Sequence, residues 1–493
     1  MTPPPTRFVR WTAARGITTF GYEMVLSQLK SRGHTLLPSD DGASRILASI
    51  YWGEGLYRWI KETTPDQRSR AIVGGLFATS SPAAVAPFCS GVYCGDGEIW
   101  DGASGDCLAS PGHVAKIAYN RVVPVYTESL PLRSKLTGQS ARIVELTRGC
   151  RQRCAFCLYS WAKPFRVGDT LAIRRAASCG DGRIRLVSGN SADHPDLERI
   201  NADLSVYDRL NLSQDISLKQ IQRQLRDPEW AAPKLLRCGI DGQSERLRTA
   251  VMKPMRTDDF VDTIVQCSRR GSRRIVMYNI WGYPTEGPED CSEYRDALRR
   301  IGAEAQAPLT MATCWNAFIP IPQTPLQWAP SSWGNDHRDR DSLLADASTR
   351  PRDGINLFHM PYATGDDLIT RRMLACRASQ DCGPLVEAVA LGDIQAARVP
   401  DAYHAITGQH LHGATDGTPP WDGMVAYPRD MLWRVACNVH RLLGISEPRR
   451  PEPMDAEREV AEWRGDQRGL PIQPTFWDDL EARHPTRTKF NQQ

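Results

Sequence analysis

The sequence predicts an α/β protein in three parts: a Rossmann-like domain at residues 1–125, a partial parallel barrel at residues 126–330 and a mostly helical extension at residues 331–493. The 493 residues exceed what one hydrophobic core usually holds, so several domains are expected. Strand-like and helix-like segments alternate over most of the chain, which favours parallel sheets. After Trp328 the polar stretch SSWGNDHRDRDS precedes a run of helical patterns.

The first part alternates strands with helices. RFVRW and RAIVGGLFAT are typical of strands, and the stretches around YEMVLSQLKSRG and GLYRWIKETTPDQRS are typical of helices. SPAAVAPFCSGVYCGDGEIW then predicts a short helix, a strand and a glycine turn. This order predicts a Rossmann-like sheet with helices packed against it.

The second part contains six apolar segments, each followed by a turn and most by a helical pattern. They are ARIVELTRG, GRIRLVSGNSADHP, YDRLNLSQDIS, KLLRCGIDGQSERLR, RRIVMYNIWGYPTEGPED and APLTMATCWNAFIPIPQTPLQW. Six strands and five helices form an incomplete parallel barrel. Ligands in such folds bind where the strands end, so we expect the functional residues in the segments that follow the strands.

Three cysteines, Cys150, Cys154 and Cys157, lie close together after the first of these strands, in ELTRGCRQRCAFCLYSW. The amino terminus lacks the apolar core of a secretory signal, and no run approaches the roughly 18 to 20 apolar residues that cross a bilayer. We therefore expect a cytoplasmic protein with reduced thiols and no membrane association. Structural zinc sites usually show two pairs of ligands, and thioredoxin-like sites use two cysteines, whereas three thiolates suit an iron-sulfur cubane whose fourth iron stays open.

The spacing Cys150-x3-Cys154-x2-Cys157, with Phe156 before the last cysteine, resembles the signature of radical S-adenosylmethionine (SAM) enzymes. The resemblance implies a 4Fe–4S cluster on the three cysteines and SAM chelated at the open iron. Reductive cleavage of SAM then yields a 5'-deoxyadenosyl radical that activates a C–H bond of the substrate. An electron donor such as flavodoxin or ferredoxin is also implied.

Other segments resemble the subgroup of these enzymes that carries a cobalamin-binding domain. GIDGQSERLR, GYPTEGPED and FIPIPQTPLQW are similar to its barrel, and VGGLFATSSPAAVAPFCSGVYCGDGE resembles the later half of its cobalamin-binding domain. The helical stretch GPLVEAVALGDIQAARVPDAYHAITG resembles a small extension in the same subgroup. The cofactor-binding residues that follow from these resemblances and from the strand ends are Gly74, Gly75, Phe156, Ser188, Gly189, Asn190, Ser213, Gln214, Asp241, Ser244, Arg248 and Tyr283.

Each of these residues has an expected role. Ser188, Gly189 and Asn190 correspond to a Gly-Gly-Glu segment that holds the methionine amino group, although Asn190 replaces the acid. Asp241, Ser244 and Arg248 are expected near the methionine or ribose, whereas Phe156 and Tyr283 either contact adenine or pack in the core. Ser213 and Gln214 end the third strand of the barrel. Gly74 and Gly75 are expected to touch cobalamin if it binds, and otherwise to form a tight turn.

The cobalamin resemblance departs from the usual pattern at one point. The motif Asp-x-His-x-x-Gly, whose histidine ligates cobalt, does not occur in this sequence. His34 is the only histidine among the first hundred residues, and we interpret it as a solvated loop residue. Cobalamin binding is therefore left open. Methylation of the substrate is expected with cobalamin, and isomerisation, sulfur insertion or bond cleavage without it.

Two further functional hypotheses remain. Basic residues cluster in RLRTAVMKPMR, CSRRGSRR and EPRRPEP, which keeps a nucleotide or nucleic acid open as the substrate although the net charge is only +4. A noncatalytic iron-sulfur protein that binds nucleic acid is the alternative from another class. Cys376, Cys382 and Cys437 could hold a second cluster, but their spacing favours separate buried thiols. A methylthiotransferase is disfavoured because Cys89, Cys94 and Cys107 lack the spacing of its second cluster.

Overall fold

The computed structural model describes most of the chain up to residue 451. The described residues are 7–12, 20–42, 44–102, 107–109, 115–117, 141–178, 183–203, 216–332, 353–363, 365–415, 418–421, 424–425, 427 and 429–451. They belong to one compact unit, Met1–Glu452, and the second unit, Pro453–Gln493, lies outside them. None of the helices in these ranges combines the length and apolar character that a bilayer-spanning helix requires.

The first part forms a six-stranded sheet in the order β2-β1-β3-β4-β5-β6. All pairings are parallel except that between β5 and β6. The strands are β1 (Arg7–Thr12), β2 (Thr35–Leu37), β3 (Arg45–Ser49), β4 (Ala71–Gly74), β5 (Gly91–Tyr93) and β6 (Leu108–Ala109). The helices are α1 (Phe20–Ser31), α2 (Gly53–Glu62), α3 (Pro65–Ser69), α4 (Leu76–Ser80) and α5 (Pro82–Val85). The predicted Rossmann-like alternation is thus observed, with β2 and β3 as strands that the sequence patterns did not indicate.

The core of this sheet follows from the sequence periodicity. Tyr22, Leu26 and Leu29 are buried on α1, where spacings of four and three residues place them on one helix face. They pack against Phe8 of β1 and Ile72 of β4. A parallel sheet is covered on both faces, which is why β4 is a continuous apolar run without alternation.

The barrel region consists of parallel strands in two groups, and the predicted third strand, YDRLNLSQ, lies outside the described residues. The first group pairs β7 (Ala141–Glu145) with β10 (Arg183–Val187), and the second has the order β11-β12-β13-β14. The strands of the second group are β11 (Leu235–Gly239), β12 (Arg274–Trp281), β13 (Leu309–Ala317) and β14 (Ile355–Ala363). A short antiparallel pair, β8 (Thr147–Arg148) with β9 (Arg166–Val167), flanks the cysteine loop.

Helices alternate with these strands and cover one face of the sheet. They are α6 (Leu158–Trp161), α7 (Thr170–Ser178), α8 (Leu197–Asp203), α9 (Leu218–Gln224), α10 (Glu245–Ala250), α11 (Thr257–Arg269) and α12 (Pro288–Glu304). Phe260 of α11 stacks on Tyr294 of α12, and the Tyr294 hydroxyl hydrogen-bonds Thr313 of β13. These contacts fix the face of β13 that packs on helices.

The described residues beyond position 330 contain four α-helices and also a strand. The helices are α13 (Asp366–Arg377), α14 (Gly383–Leu391), α15 (Val399–Thr407) and α16 (Arg429–Leu443). Strand β14 lies beyond residue 330 and pairs with β13, so the sheet continues into the region predicted as the extension. The predicted boundaries of the three parts stay a prediction.

Candidate cofactor site

The three cysteines lie on the loop between β8 and α6. Gly149 opens this loop with a φ of +73°, and a Cβ there would lie 2.7 Å from the Pro164 carbonyl oxygen, so a glycine is required. Cys150 and Cys154 are buried, and Cys157 is half-buried at the amino end of α6. The thiols of Cys154, Cys150 and Cys157 are close enough to interact electrostatically.

Burial favours the protonated form of these thiols. It raises the pKa of Cys150 to about 11 and also raises the pKa of Cys154. Since metal ligation requires the thiolate, binding of a metal must displace these protons. Soft thiolates without nearby His ligands suit iron-sulfur chemistry better than a hard cation.

The three thiols are soft ligands on one short loop. Within the described ranges, no three His, Cys, Asp or Glu side chains converge on one position where a metal ion could bind. In a 4Fe–4S cubane each thiolate ligates its own iron. The chemistry of the donor set Cys150, Cys154 and Cys157 is that of a cluster with three protein ligands, and its occupation stays a prediction.

A cavity of about 510 Å³ opens beside this loop, between the carboxyl ends of the two parallel sheets. Gly74 and Gly75 follow β4 on one side, and Ser188 and Gly189 follow β10 on the other. Four of the predicted cofactor-binding residues, from segments more than a hundred residues apart, therefore line one cavity. Its volume is in the range of small-molecule sites.

Close backbone packing explains two of these glycines. Gly75 has a φ of +107°, and a Cβ at this position would lie 2.5 Å from the Ile50 carbonyl oxygen. A Cβ on Gly189 would lie 2.6 Å from the ring of Tyr159, which also lines the cavity. Side chains at these positions would move the walls of the cavity.

Tyr51 connects the cavity with the cysteine loop. It lines the cavity wall with 39% of its surface exposed, and partial burial together with the nearby Cys157 raises the pKa of its hydroxyl. Asn190, next to Gly189, is buried, and its Oδ1 has no hydrogen-bond partner in the described part of the chain. A buried acceptor of this kind is usually satisfied by a ligand or water.

Asp241 and Tyr283 form a second group beside the cysteines. Asp241, with a φ of +50°, forms an ion pair with Lys253, and both charges act on the Cys154 thiol. The Tyr283 hydroxyl donates to the Asp241 carbonyl at 3.1 Å, and its ring lies 6.4 Å from that of Phe156. The two rings pack near each other, and their contact with adenine stays a prediction.

Ser244 and Arg248 have intramolecular partners for their polar atoms. The Ser244 hydroxyl accepts from the Leu247 N–H at 3.2 Å as the cap of α10 and hydrogen-bonds Asp290. Arg248 is fully buried, and its guanidinium donates to the following groups: the carbonyls of Met255, Gly242 and Gln243, the Thr257 hydroxyl and the Glu293 carboxylate. These side chains order the segment after β11. Arg248 is therefore not a solvent-exposed helix residue, and its expected place near the methionine or ribose stays a prediction.

Ser213 and Gln214 lie outside the described residues.

The interpretation of His34 as a solvated residue is wrong. His34 is buried, its ring packs 5.4 Å from that of Phe8, and its Nε2 lies 3.1 Å from the Asp101 carbonyl oxygen. Cys376, Cys382 and Cys437 are buried as separate thiols, and they are not among any metal-binding group in the described ranges.

Some residues of the first two basic clusters are engaged in contacts within the chain. Lys253 pairs with Asp241, Arg248 is buried, and Arg270 donates to the carbonyls of Leu225 and Asp227. By contrast, the side chain of Arg256 is 67% exposed. A nucleotide or nucleic acid as the substrate stays a prediction.

The sequence analysis missed a group of six charges at one end of the cavity, five of them buried and Lys163 half-buried, which we call the ion cluster. It consists of Asp96, Glu98, Glu145, Arg148, Lys163 and Arg166, with three charges of each sign. Asp96 pairs with Lys163 and Arg166 at 3.0 Å each and with Arg148 at 3.2 Å. Arg148 also pairs with Glu145 at 2.7 Å and with Glu98.

The ion cluster joins the first sheet to both ends of the cysteine loop. Asp96 and Glu98 belong to the Gly-Asp-Gly-Glu segment after β5, whereas Arg148 precedes the loop and Lys163 and Arg166 follow it. Burial alone would raise the pKa of Asp96, but Lys163, Arg148 and Arg166 together hold it well below its usual range. The carboxylate therefore stays ionised as the anchor of three cations.

Comparison with known proteins gives one curated relative and several solved structures. No family model matches the chain. An uncharacterized protein of Methanocaldococcus jannaschii is 26% identical over 192 residues, which are 37% of this chain and 41% of that relative. The match thus spans less than half of the relative's length.

The solved structures are radical SAM enzymes. TsrM from Kitasatospora setae, a radical SAM methyltransferase solved with tryptophan substrate and a SAM analogue, is 14% identical with a TM-score of 0.42, over 62% of this chain and 72% of TsrM. OxsB, a cobalamin-dependent SAM radical enzyme, is 12% identical with a TM-score of 0.33, over 94% of this chain and 61% of OxsB. These proteins belong to the class that the cysteine spacing and the glycine segments of this sequence resemble.

Proposed function

We propose that this protein is a radical SAM enzyme in which Cys150, Cys154 and Cys157 hold a 4Fe–4S cluster. The observation that carries this proposal is the convergence of Gly74, Gly75, Ser188 and Gly189 on one cavity beside the cysteine loop. When bound, the cluster and SAM supply a 5'-deoxyadenosyl radical that removes a hydrogen atom from the substrate. The protein itself contributes ligands, orientation and exclusion of water.

Several side chains have roles in this proposal. The buried Asn190 Oδ1, which lacks a partner among the described residues, accepts a hydrogen bond from the amino group of SAM. The Lys253–Asp241 ion pair acts on the Cys154 thiol, and the positive charge of Lys253 favours the thiolate form needed for ligation. Tyr51 and Tyr159 form the wall between the cavity and the loop.

Cobalamin is the second cofactor that we propose, in the cavity next to Gly74 and Gly75. In that case the reaction is methylation of the substrate, and without cobalamin it is another radical modification such as isomerisation. A reduced flavodoxin or ferredoxin supplies the electron. The ion cluster already engages Asp96 and Glu98 of the Gly-Asp-Gly-Glu segment, so these two carboxylates are not free to bind the cofactor.

The test is anaerobic reconstitution of the full chain with iron and sulfide, followed by measurement of iron, cobalt and 5'-deoxyadenosine. The wild type is expected to bind about four irons per chain and to release 5'-deoxyadenosine from SAM under reduction. Cys154→Ala should lose the cluster spectrum and the product, because one corner loses its ligand.

Cys89→Ala is the matched control, since Cys89 is a half-buried thiol whose Sγ contacts the Val85 carbonyl oxygen in the first domain. It should keep both iron and product. Failure of the wild type to release 5'-deoxyadenosine despite a full iron complement would refute the proposal. Cobalt that binds tightly to the purified chain would support methylation. A purified chain that binds no cobalt would support the cobalamin-independent reaction.

A further inference from the structure

The inner face of the sheet formed by β11 to β14 contains an arginine, Arg237, whose Nε is buried without a hydrogen bond among the described residues. Partner residues on neighbouring parallel strands point to the same face, and the register aligns Arg237 with Val276, Ala312 and Phe358. Thr313, the next residue on β13, points to the opposite face, where it contacts Tyr294 of α12. Arg237 therefore points away from the helices.

The Arg237 guanidinium lacks a protein partner in the described part of the chain. The side chain is half-buried, and its Nε is buried without a hydrogen bond. No carboxylate of the described residues forms an ion pair with it. A buried cationic donor without a partner is unfavourable, and an oxyanion with two acceptor oxygens matches its geometry.

Large apolar side chains on the same face are exposed. Phe358 is 36% exposed and Met360 is 39% exposed, although both lie within a strand that pairs with β13. The register places Tyr278 and Cys314 beside Met360 in the next layer of the same face. An apolar surface with one fixed polar group is typical of small-molecule sites.

The position of this face relative to the cysteines indicates the direction in which a bound ligand extends. The strand runs from Arg237 to its end at Gly239, and Asp241 lies two residues beyond that end. Asp241 and its partner Lys253 lie close enough to Cys154 to affect its thiol. A molecule anchored by Arg237 thus extends towards the cysteine loop along Tyr278 and Met360.

We propose that Arg237 and the apolar residues Phe358 and Met360 form a subsite for a substrate that contains an oxyanion, either a carboxylate or a phosphate, joined to an aromatic or apolar part. The identification of this ligand as the substrate rests on the proposed function, whereas the binding itself does not. The charge of Arg237 selects the oxyanion, and Phe358 and Met360 bind the apolar part.

Calorimetric titration of the anaerobically reconstituted full chain tests this subsite. The probes are phenyl phosphate and 3-phenylpropionate, with 3-phenylpropanol as the neutral comparison. We expect at least one of the anions to bind about ten times more tightly than the alcohol, and the preferred anion identifies phosphate or carboxylate as the recognised group. Equal affinity of the wild type for both anions and the alcohol would overturn the proposal without any variant.

Variants separate the two parts of the subsite. Arg237→Gln should weaken binding of the preferred anion by about ten- to a hundredfold and leave 3-phenylpropanol unaffected. Phe358→Ala should weaken all three probes while preserving the preference for the anion. Arg299→Gln is the control, because Arg299 is an exposed residue on α12 that pairs with Asp296. Wild-type anion affinity in Arg237→Gln contradicts the proposal.

The failure of this subsite can be distinguished from failure of the proposed function. The iron content and the substrate-free release of 5'-deoxyadenosine are measured on the same wild-type preparation as the probe affinities. Cys154→Ala should lose the cluster but keep the affinity for the preferred probe. Anion binding in a chain that releases no 5'-deoxyadenosine supports the subsite and refutes only the radical chemistry.

Discussion

Replacement of Asp96 by asparagine should lower the free energy of unfolding by about 3 kcal/mol at neutral pH. The side chain of Asp96 is fully buried and pairs with three cations, so the variant leaves the ion cluster with three positive and two negative charges. Removal of one member of a buried ion network costs about 3 to 5 kcal/mol. Because asparagine keeps the size and one acceptor oxygen, the lower end of that range is expected.

The pH dependence gives a second signature of the same interaction. The pKa of Asp96 is held below its usual range in the folded protein, so its contribution to stability is complete above the pKa of the unfolded chain, about 3.9. The contribution is lost as the pH falls through the lower pKa of the folded state. The difference between wild type and variant should therefore be largest at neutral pH and shrink below about pH 4.

Urea unfolding followed by circular dichroism measures both effects. Asp66→Asn is the matched control, because Asp66 pairs with Arg70 at 3.1 Å with 76% of its side chain exposed. Exposed pairs contribute about 0 to 1 kcal/mol, so this variant should be nearly neutral. If Asp96→Asn changes stability no more than Asp66→Asn, the view of the ion cluster as a structural anchor is incorrect.

Two further predictions concern burial and backbone geometry. Burial raises the pKa of Glu286 to about 8, so the free energy of unfolding of the wild type should fall as the pH rises from about 4.5 towards 8. Glu286→Gln should show a smaller fall than the wild type in urea titrations at pH 5, 6.5 and 8. An equal fall in both proteins would contradict this. Gly75→Ala should destabilise by more than Gly392→Ala, because both glycines have positive φ but only a Cβ at Gly75 meets a backbone atom, Ile50 O, at 2.5 Å. Equal midpoints of the two variants in urea would show that the contact relaxes freely.

Local patterns were sufficient for much of the fold. The apolar run of β4 and the periodicity of α1 predicted their elements, and the segments after β4 and β10 predicted residues that line the same cavity. The cysteine loop was predicted from spacing alone, and its place beside that cavity followed from the expectation that strand ends carry ligands.

The contacts that the sequence analysis did not predict depend on the folded chain and not on local sequence patterns. Arg148 and Asp96 are separated by 52 positions in the sequence, so no local stretch of the sequence contains both charges. Arg248 donates to carbonyls of the loop that surrounds it, which the sequence pattern did not indicate. The polar stretch SSWGNDHRDRDS precedes β14, and its composition indicated a domain boundary. Strand β14 nevertheless pairs with β13, which lies before that stretch.

The ion cluster also limits how the protein can be divided. If the first sheet were removed, Asp96 and Glu98 would go with it, and Arg148, Lys163 and Arg166 would lose the ion pairs that they form with these two carboxylates. The loop that bears the cysteines would then begin and end at cations that had lost these partners. We therefore expect a truncated barrel to be less stable at this loop than the full chain, so the two sheets should be expressed and engineered together.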